Sequence, residues 1–105
     1  MKTLQEMQNE VDTYISQFKA GYFSPLANLA RLTEEVGELA REINHFHGEK
    51  KKKESEAPNS VAAELGDNLF VLLCIANSLD IDMTESFNQT MQKFNTRDKN
   101  RFERK

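Results

Sequence analysis

Apolar positions along the chain recur every three or four residues in four separate blocks. Leu4, Met7, Val11, Tyr14 and Phe18 form the first, a spacing that keeps side chains on one helical face. Gly21 offers a C-terminal stop, which predicts a helix from about Thr3 to Ala20. In the second block Leu29, Leu32, Val36, Leu39, Ile43 and Phe46 run unbroken to Gly48, behind Ser24 as N-cap and Pro25 at the first helical position. Ala62, Leu65, Leu69, Leu72, Ala76 and Leu79 make the third. Asp82 and Glu85 then stand at capping-box spacing and open a fourth helix lined by Met83, Phe87, Met91 and Phe94. With no strand-like alternation and no solenoid-length repeat, the expectation is an all-α, four-helix-type bundle. The stretch GEKKKKESEAPN, residues 48–59, is charged and non-periodic, the composition of a mobile loop.

The third block changes the picture of assembly. After Asn68 the run LFVLLCIA is apolar on every side, and a helix of that kind must be covered on every side. Three partner helices from one short chain hardly suffice, which predicts a homo-oligomer, dimer or tetramer. The composition, 38% apolar and 30% charged over 105 residues with four Gly and two Pro, predicts one soluble helical domain spanning 1–105. The N-terminus lacks a signal-peptide apolar core, and the run from Leu69 to Ala76 is too short to cross a bilayer. A cytoplasmic location follows as the default, and the single Cys74, set in that apolar run, suits a core position in a reduced compartment. The net charge of −3 hides an acidic middle and a basic C-terminus. Basic residues are not interleaved with stacking aromatics on any recognisable motif, so nucleic-acid binding finds no support.

The candidate chemistry is carboxylate-rich. In LTEEVGELAREINHFH, Glu35, Glu38 and Glu42 stack at spacings of three and four beside the apolar stripe. Such like-charge neighbours each cost a few tenths of a kcal/mol, and only Arg31 and Arg41 lie close enough to relieve them. A solvated helix face is the plain alternative. In VAAELGDNLFVLLC, Glu64 and Asp67 repeat the spacing, and one and two turns beyond Asp67 come Val71 and Cys74, so Asp67 is predicted on a buried side. An ionised carboxylate buried there needs a cation, a raised pKa or a metal. Gly66 leaves room for another backbone or a ligand. If the second and third helices are antiparallel neighbours, Glu35, Glu38, Glu64 and Asp67 converge, and four hard oxygen donors suit Mg²⁺ or Mn²⁺ better than Zn²⁺.

Glu34-Glu35-Val36-Gly37-Glu38, followed by Glu64-Leu65-Gly66-Asp67, resembles the E-E-x-x-E plus E-x-x-D signature of the MazG-like nucleoside triphosphate pyrophosphohydrolases. The likeness extends upstream through Phe23 to Asn28 and downstream through Lys93 to Arg97, and so covers most of the chain. Asn68 and the lysine-rich loop depart from the more familiar pattern. The resemblance implies Mg²⁺-dependent hydrolysis of a nucleoside triphosphate to monophosphate and pyrophosphate, with Mn²⁺ as a possible substitute. It makes Glu35, Glu38, Glu64 and Asp67 metal ligands. Glu38 is a candidate for catalysis as well as for the metal, and Glu34 becomes a candidate for orienting the attacking water or binding a second ion, with a surface glutamate as the alternative.

Substrate contacts are sketched more lightly. Lys93, Arg97 and Arg101 recur every four residues on the last helix, where they could meet phosphates or only complement the helix dipole. Asn28 falls two turns before Glu35 on the same side and could hydrogen-bond a base or sugar. Two rivals stand beside the hydrolase. Glu42 and His45 form an E-x-x-H of the di-iron kind, but a second such motif is missing and the only other histidine is His47. The other is a non-catalytic oligomerisation or regulatory module with an acidic groove for a basic partner.

Overall fold

The computed structural model describes residues 1–47 and 60–105; the predicted loop and the stop at Gly48 lie outside them. The described residues form four helices and no strand, α1 Leu4–Ile15, α2 Pro25–His47, α3 Val61–Ser78 and α4 Met83–Arg97. The chain is all-α, as its periodicity predicts.

Side chains set most of the starts. Thr3 and Glu6 exchange bonds in a capping box before α1. Ser24 caps α2 through a bond from Ala27 N at 3.2 Å, and Ser60 does the same for α3, accepting from Ala63 N at 3.0 Å. Asp82 accepts from Thr84 N and Glu85 N. The reciprocal half of the expected box is not made, because the Glu85 carboxylate accepts from Gln89 instead.

The first helix ends earlier than its stripe implies, at Ile15 rather than Ala20. Bonds from Gln17 N to Tyr14 O and from Phe18 N to Ile15 O tighten the exit into turns, which satisfies the last carbonyls that a helix end leaves open. Gly21 then takes a φ of 65°, a left-handed conformation open to glycine. That reversal carries Tyr22 back onto α1 and α3, where its hydroxyl donates to Asp12 Oδ1 at 2.8 Å and accepts from Asn77 Nδ2 at 3.0 Å.

Gln8 is the hub of the same network. Its amide donates to Asn77 Oδ1 and Ile81 O and accepts from Met83 N, while Asn77 Nδ2 returns a bond to Gln8 O. The buried Gln8 side chain thereby pins α1 to the end of α3 and the start of α4. Gln8→Ala strands three partners at once, and each buried polar group left unsatisfied costs about 1–3 kcal/mol. Urea denaturation of this variant should show roughly 3 kcal/mol lost with an unchanged m-value; a loss below about 1 kcal/mol would mean water replaces the amide.

α2 and α3 pair most extensively, α1 lies against α3, and α4 meets α1. Val11, Leu73 and Cys74 form a small core, with Met7, Ile15, Tyr22, Phe70 and Met83 packed against it. The stripe read on the third helix is not the buried one. Leu65, Leu69, Leu72 and Leu79 are exposed, whereas Glu64, Asn68, Val71, Leu73, Cys74 and Ala76 are buried. The Asn68 amide on that side donates to Glu35 O of α2, and with this side inward the leucines face outward. Val36, Ile43 and Phe46 on α2 and Phe87, Met91 and Phe94 on α4 are exposed too. The radius of gyration is 17.2 Å, against about 13 Å for a compact domain of this length. By length and a mean hydropathy of 1.3, α3 is apolar enough to cross a membrane, although Glu64 and Asp67 lie within it and both α1 and α2 pack on it.

Candidate active site

Two helices build the site. Glu35 on α2 and Glu64 and Asp67 on α3 place carboxylate oxygens within 4.8 Å of one another. Asn68 joins their backbones at this level. Its Nδ2 donates to Glu64 O one turn back at 2.7 Å and crosses to Glu35 O on α2 at 3.0 Å. Further along, Arg31 meets Phe70, so residues fall on α2 as they rise on α3 and the pair is antiparallel, as the convergence of the carboxylates requires.

Burial is divided differently from the sequence expectation. Glu64 is the buried carboxylate, 3% exposed, Glu35 is intermediate, and Asp67 is exposed. The buried line of α3 passes through Glu64, Asn68 and Val71, steps of four and three; Asp67 sits about 100° to one side of Asn68 and rides on its shoulder. A Cβ at Gly66 would meet nothing within 4 Å, so no neighbouring backbone uses the room expected there. Burial, then the charges of Asp67 and Glu64, raise the Glu35 carboxyl above its ordinary value; Arg31 pulls it back, and Glu38 adds the smallest push.

The remaining candidates are placed as follows. Glu34 and Glu38 are exposed on α2 outside the three-carboxylate group. Glu42 is buried and His45 half-buried further along, and neither joins it. Lys93 lies over the ring of its neighbour Phe94, Arg97 is paired in two bonds with Asp98, and among the described residues neither is hydrogen-bonded to α2 or α3. Arg101 lies over Phe102 beyond the end of α4.

Beside the carboxylates is a cavity of about 430 Å³ between the α1–α2 turn, α2 and α3. Tyr14, Phe18, Phe23 and Phe70 line it, with Asn28 and Arg31. Asn28 is 2% exposed, and its one side-chain hydrogen bond among the described residues is long, Nδ2 to Phe23 O at 3.4 Å. The Arg31 guanidinium stands 5.6 Å from the Phe70 ring centre. Sequence reasoning noted Arg31 only as relief for the glutamates. Its place four before Glu35 was the available signal, but the aromatic wall it stacks on comes from other elements.

Facing helices that gather hard oxygen donors beside an aromatic cavity define a small all-α hydrolase of phosphate esters or anhydrides as the class. A family model of the MazG nucleotide pyrophosphohydrolase domain matches residues 23–102, and the chain belongs to that family. It is a nucleotide pyrophosphohydrolase, which answers the rival reading as a non-catalytic module. The Bacillus subtilis (strain 168) protein YpjD is 62% identical over 104 residues, covering 99% of this chain and 94% of that one. The crystal structure of YPJD from Bacillus subtilis superposes with a TM-score of 0.83 at 61% identity, covering 91% of this chain and 98% of that one. A Bacillus-conserved MazG protein, described as a nucleotide pyrophosphohydrolase, gives 0.81 at 59%, covering 92% and 94%.

Proposed function

We propose that the protein hydrolyses a nucleoside triphosphate to its monophosphate and pyrophosphate, using Mg²⁺ with Mn²⁺ as a substitute. The observation that carries this is the convergence of Glu35, Glu64 and Asp67 from two helices. A donor set of carboxylates without Cys or His fits a hard divalent cation. Burial first, and then the charges of Asp67 and Glu64, raise Glu35, and such an ion would relieve that repulsion. When bound, the ion would neutralise phosphate charge and lower the pKa of a coordinated water.

The protein's own groups have separable tasks. Glu35, Glu64 and Asp67 hold the ion, and Glu38, one turn beyond Glu35, completes the set from the open side. Glu34 orients the attacking water. Asn68 holds the two ligand-bearing backbones together. The water oxygen bonds to phosphorus, the anhydride linking the first and second phosphates breaks, and pyrophosphate leaves. Asn28 contacts the base or sugar, and Lys93 and Arg97 supply further phosphate charge. The active form is a homo-oligomer, supported by the exposed apolar faces of α2, α3 and α4. A cytoplasmic setting is supported by the single buried thiol of Cys74.

The test is pyrophosphate release from a panel of canonical and modified nucleoside triphosphates with Mg²⁺, Mn²⁺ or EDTA. Turnover to monophosphate and pyrophosphate should occur with metal and vanish with EDTA. A folded, metal-binding protein that turns over no nucleotide would sink the reading.

A further inference from the structure

Two polar side chains of the aromatic cavity, Asn28 and Arg31, are short of partners. Asn28 is almost wholly buried and holds one long bond, so an amide that can both donate and accept is left to the cavity. The Arg31 guanidinium makes no hydrogen bond or ion pair among the described residues and lies over the flat face of Phe70. A guanidinium stacked in this way keeps its in-plane donors for a ligand, and their fork matches a phosphate. Arg31 also sits at a junction. It lines the cavity and is one turn before Glu35, whose charge it offsets. Phe70, opposite, is three residues after Asp67. Arg31 and Phe70 are thus the cavity residues that stand nearest, along α2 and α3, to the carboxylates.

We propose that this cavity receives the nucleoside and that Arg31, at its neck, grips the phosphate next to the sugar. The assignment rests on the pyrophosphohydrolase reading and deepens it. A volume of about 430 Å³ lies within the usual range for small-molecule pockets, and aromatic walls stack any base through its π-face. Asn28, a buried amide of the lining that can both donate to and accept from a base edge, is the residue that sets base preference. With the first phosphate at Arg31, the scissile anhydride reaches the carboxylates. Lys93 and Arg97, which contact their own neighbours Phe94 and Asp98, are left to the outer phosphates.

Calorimetric titration of the full chain with nucleoside monophosphates of each base, and with the matching nucleosides, tests this apart from turnover. The wild type should bind at least one monophosphate about tenfold or more tighter than its nucleoside. Arg31→Gln should erase that difference and leave nucleoside binding unchanged. In steady-state assays it should raise KM far more than it lowers kcat. Ala20→Phe, a change at an exposed residue of the cavity wall, should weaken nucleoside and monophosphate alike. If Arg31→Gln lowers kcat at unchanged monophosphate affinity, Arg31 only tunes the carboxylates and the assignment falls. Ala20→Phe with unaltered binding would place the nucleoside elsewhere. If the wild type hydrolyses no triphosphate, the underlying reading fails, while monophosphate binding blocked by Ala20→Phe would still uphold the cavity.

Discussion

Asp67→Asn should abolish nearly all pyrophosphate release while making the metal-free protein more stable. The two effects share one cause. Three carboxylates with oxygens within 4.8 Å of each other are arranged for a cation and repel one another without it. Removing a ligand from such a set should lower kcat/KM by at least about 100-fold. The metal-free melting temperature should rise by roughly 2–5 °C, because Asp67 is the leading charge that raises Glu35. The sign follows from linkage. A carboxyl whose folded-state pKa is above its unfolded value opposes folding when ionised, so its penalty is absent below the ordinary carboxylate range and complete above the raised value. Wild-type stability in EDTA should therefore drop as pH rises through that window, and the drop should be smaller in Asp67→Asn. Asp67 is exposed, so misfolding does not obscure the outcome. Melting curves in EDTA from pH 4 to pH 8, beside activity in Mg²⁺, check both halves; an inactive variant that is also less stable would refute the shared cause.

How much of this site was legible in the sequence depends on which direction a contact runs. Contacts along one helix were readable, since spacings of three and four put Glu35 beside Glu38 and Glu64 beside Asp67. The facing of α2 and α3 followed from their being consecutive helices joined by a loop. What spacing could not show was rotation. On α3 nearly every position after Asn68 is apolar, so periodicity gave no unique buried side, and the stripe through Leu65, Leu69 and Leu72 was as good a choice as the true one. Polar residues settled the matter. Asn68 and Glu64 turn toward α2 because the amide finds a carbonyl there, which exchanges the roles expected for Glu64 and Asp67. The end of α1 was hidden for a similar reason. Tyr14 and Phe18 continue the helical spacing, but Tyr22 is recruited by Asp12 and Asn77, a contact between residues far apart in sequence. The cavity that this turn creates was illegible for the same cause.

The leucines that α3 turns outward carry the other large expectation. For an exposed leucine on a monomer, a change to glutamate is close to neutral, within about 0.5 kcal/mol. For a leucine covered by another copy, it buries a carboxylate without a partner at a cost of several kcal/mol. Leu72 is exposed in the isolated chain and lies more than one turn beyond Asp67, so Leu72→Glu separates the two cases without touching the carboxylates. The expected result is dissociation, read by sedimentation equilibrium as a weakening of self-association by more than about 100-fold. The melting temperature should fall at the same protein concentration and lose the concentration dependence that self-association gives the wild type. The reason to expect so much is that α2, α3 and α4 all leave apolar faces open, and the chain spreads to a radius of gyration of 17.2 Å where about 13 Å would be compact. A small core of Val11, Leu73 and Cys74 gives these helices little internal burial, and covering the faces with a second copy would supply what one chain lacks. A variant that sediments as the wild type does, with an unchanged melting temperature, would show that α3 meets water on this side.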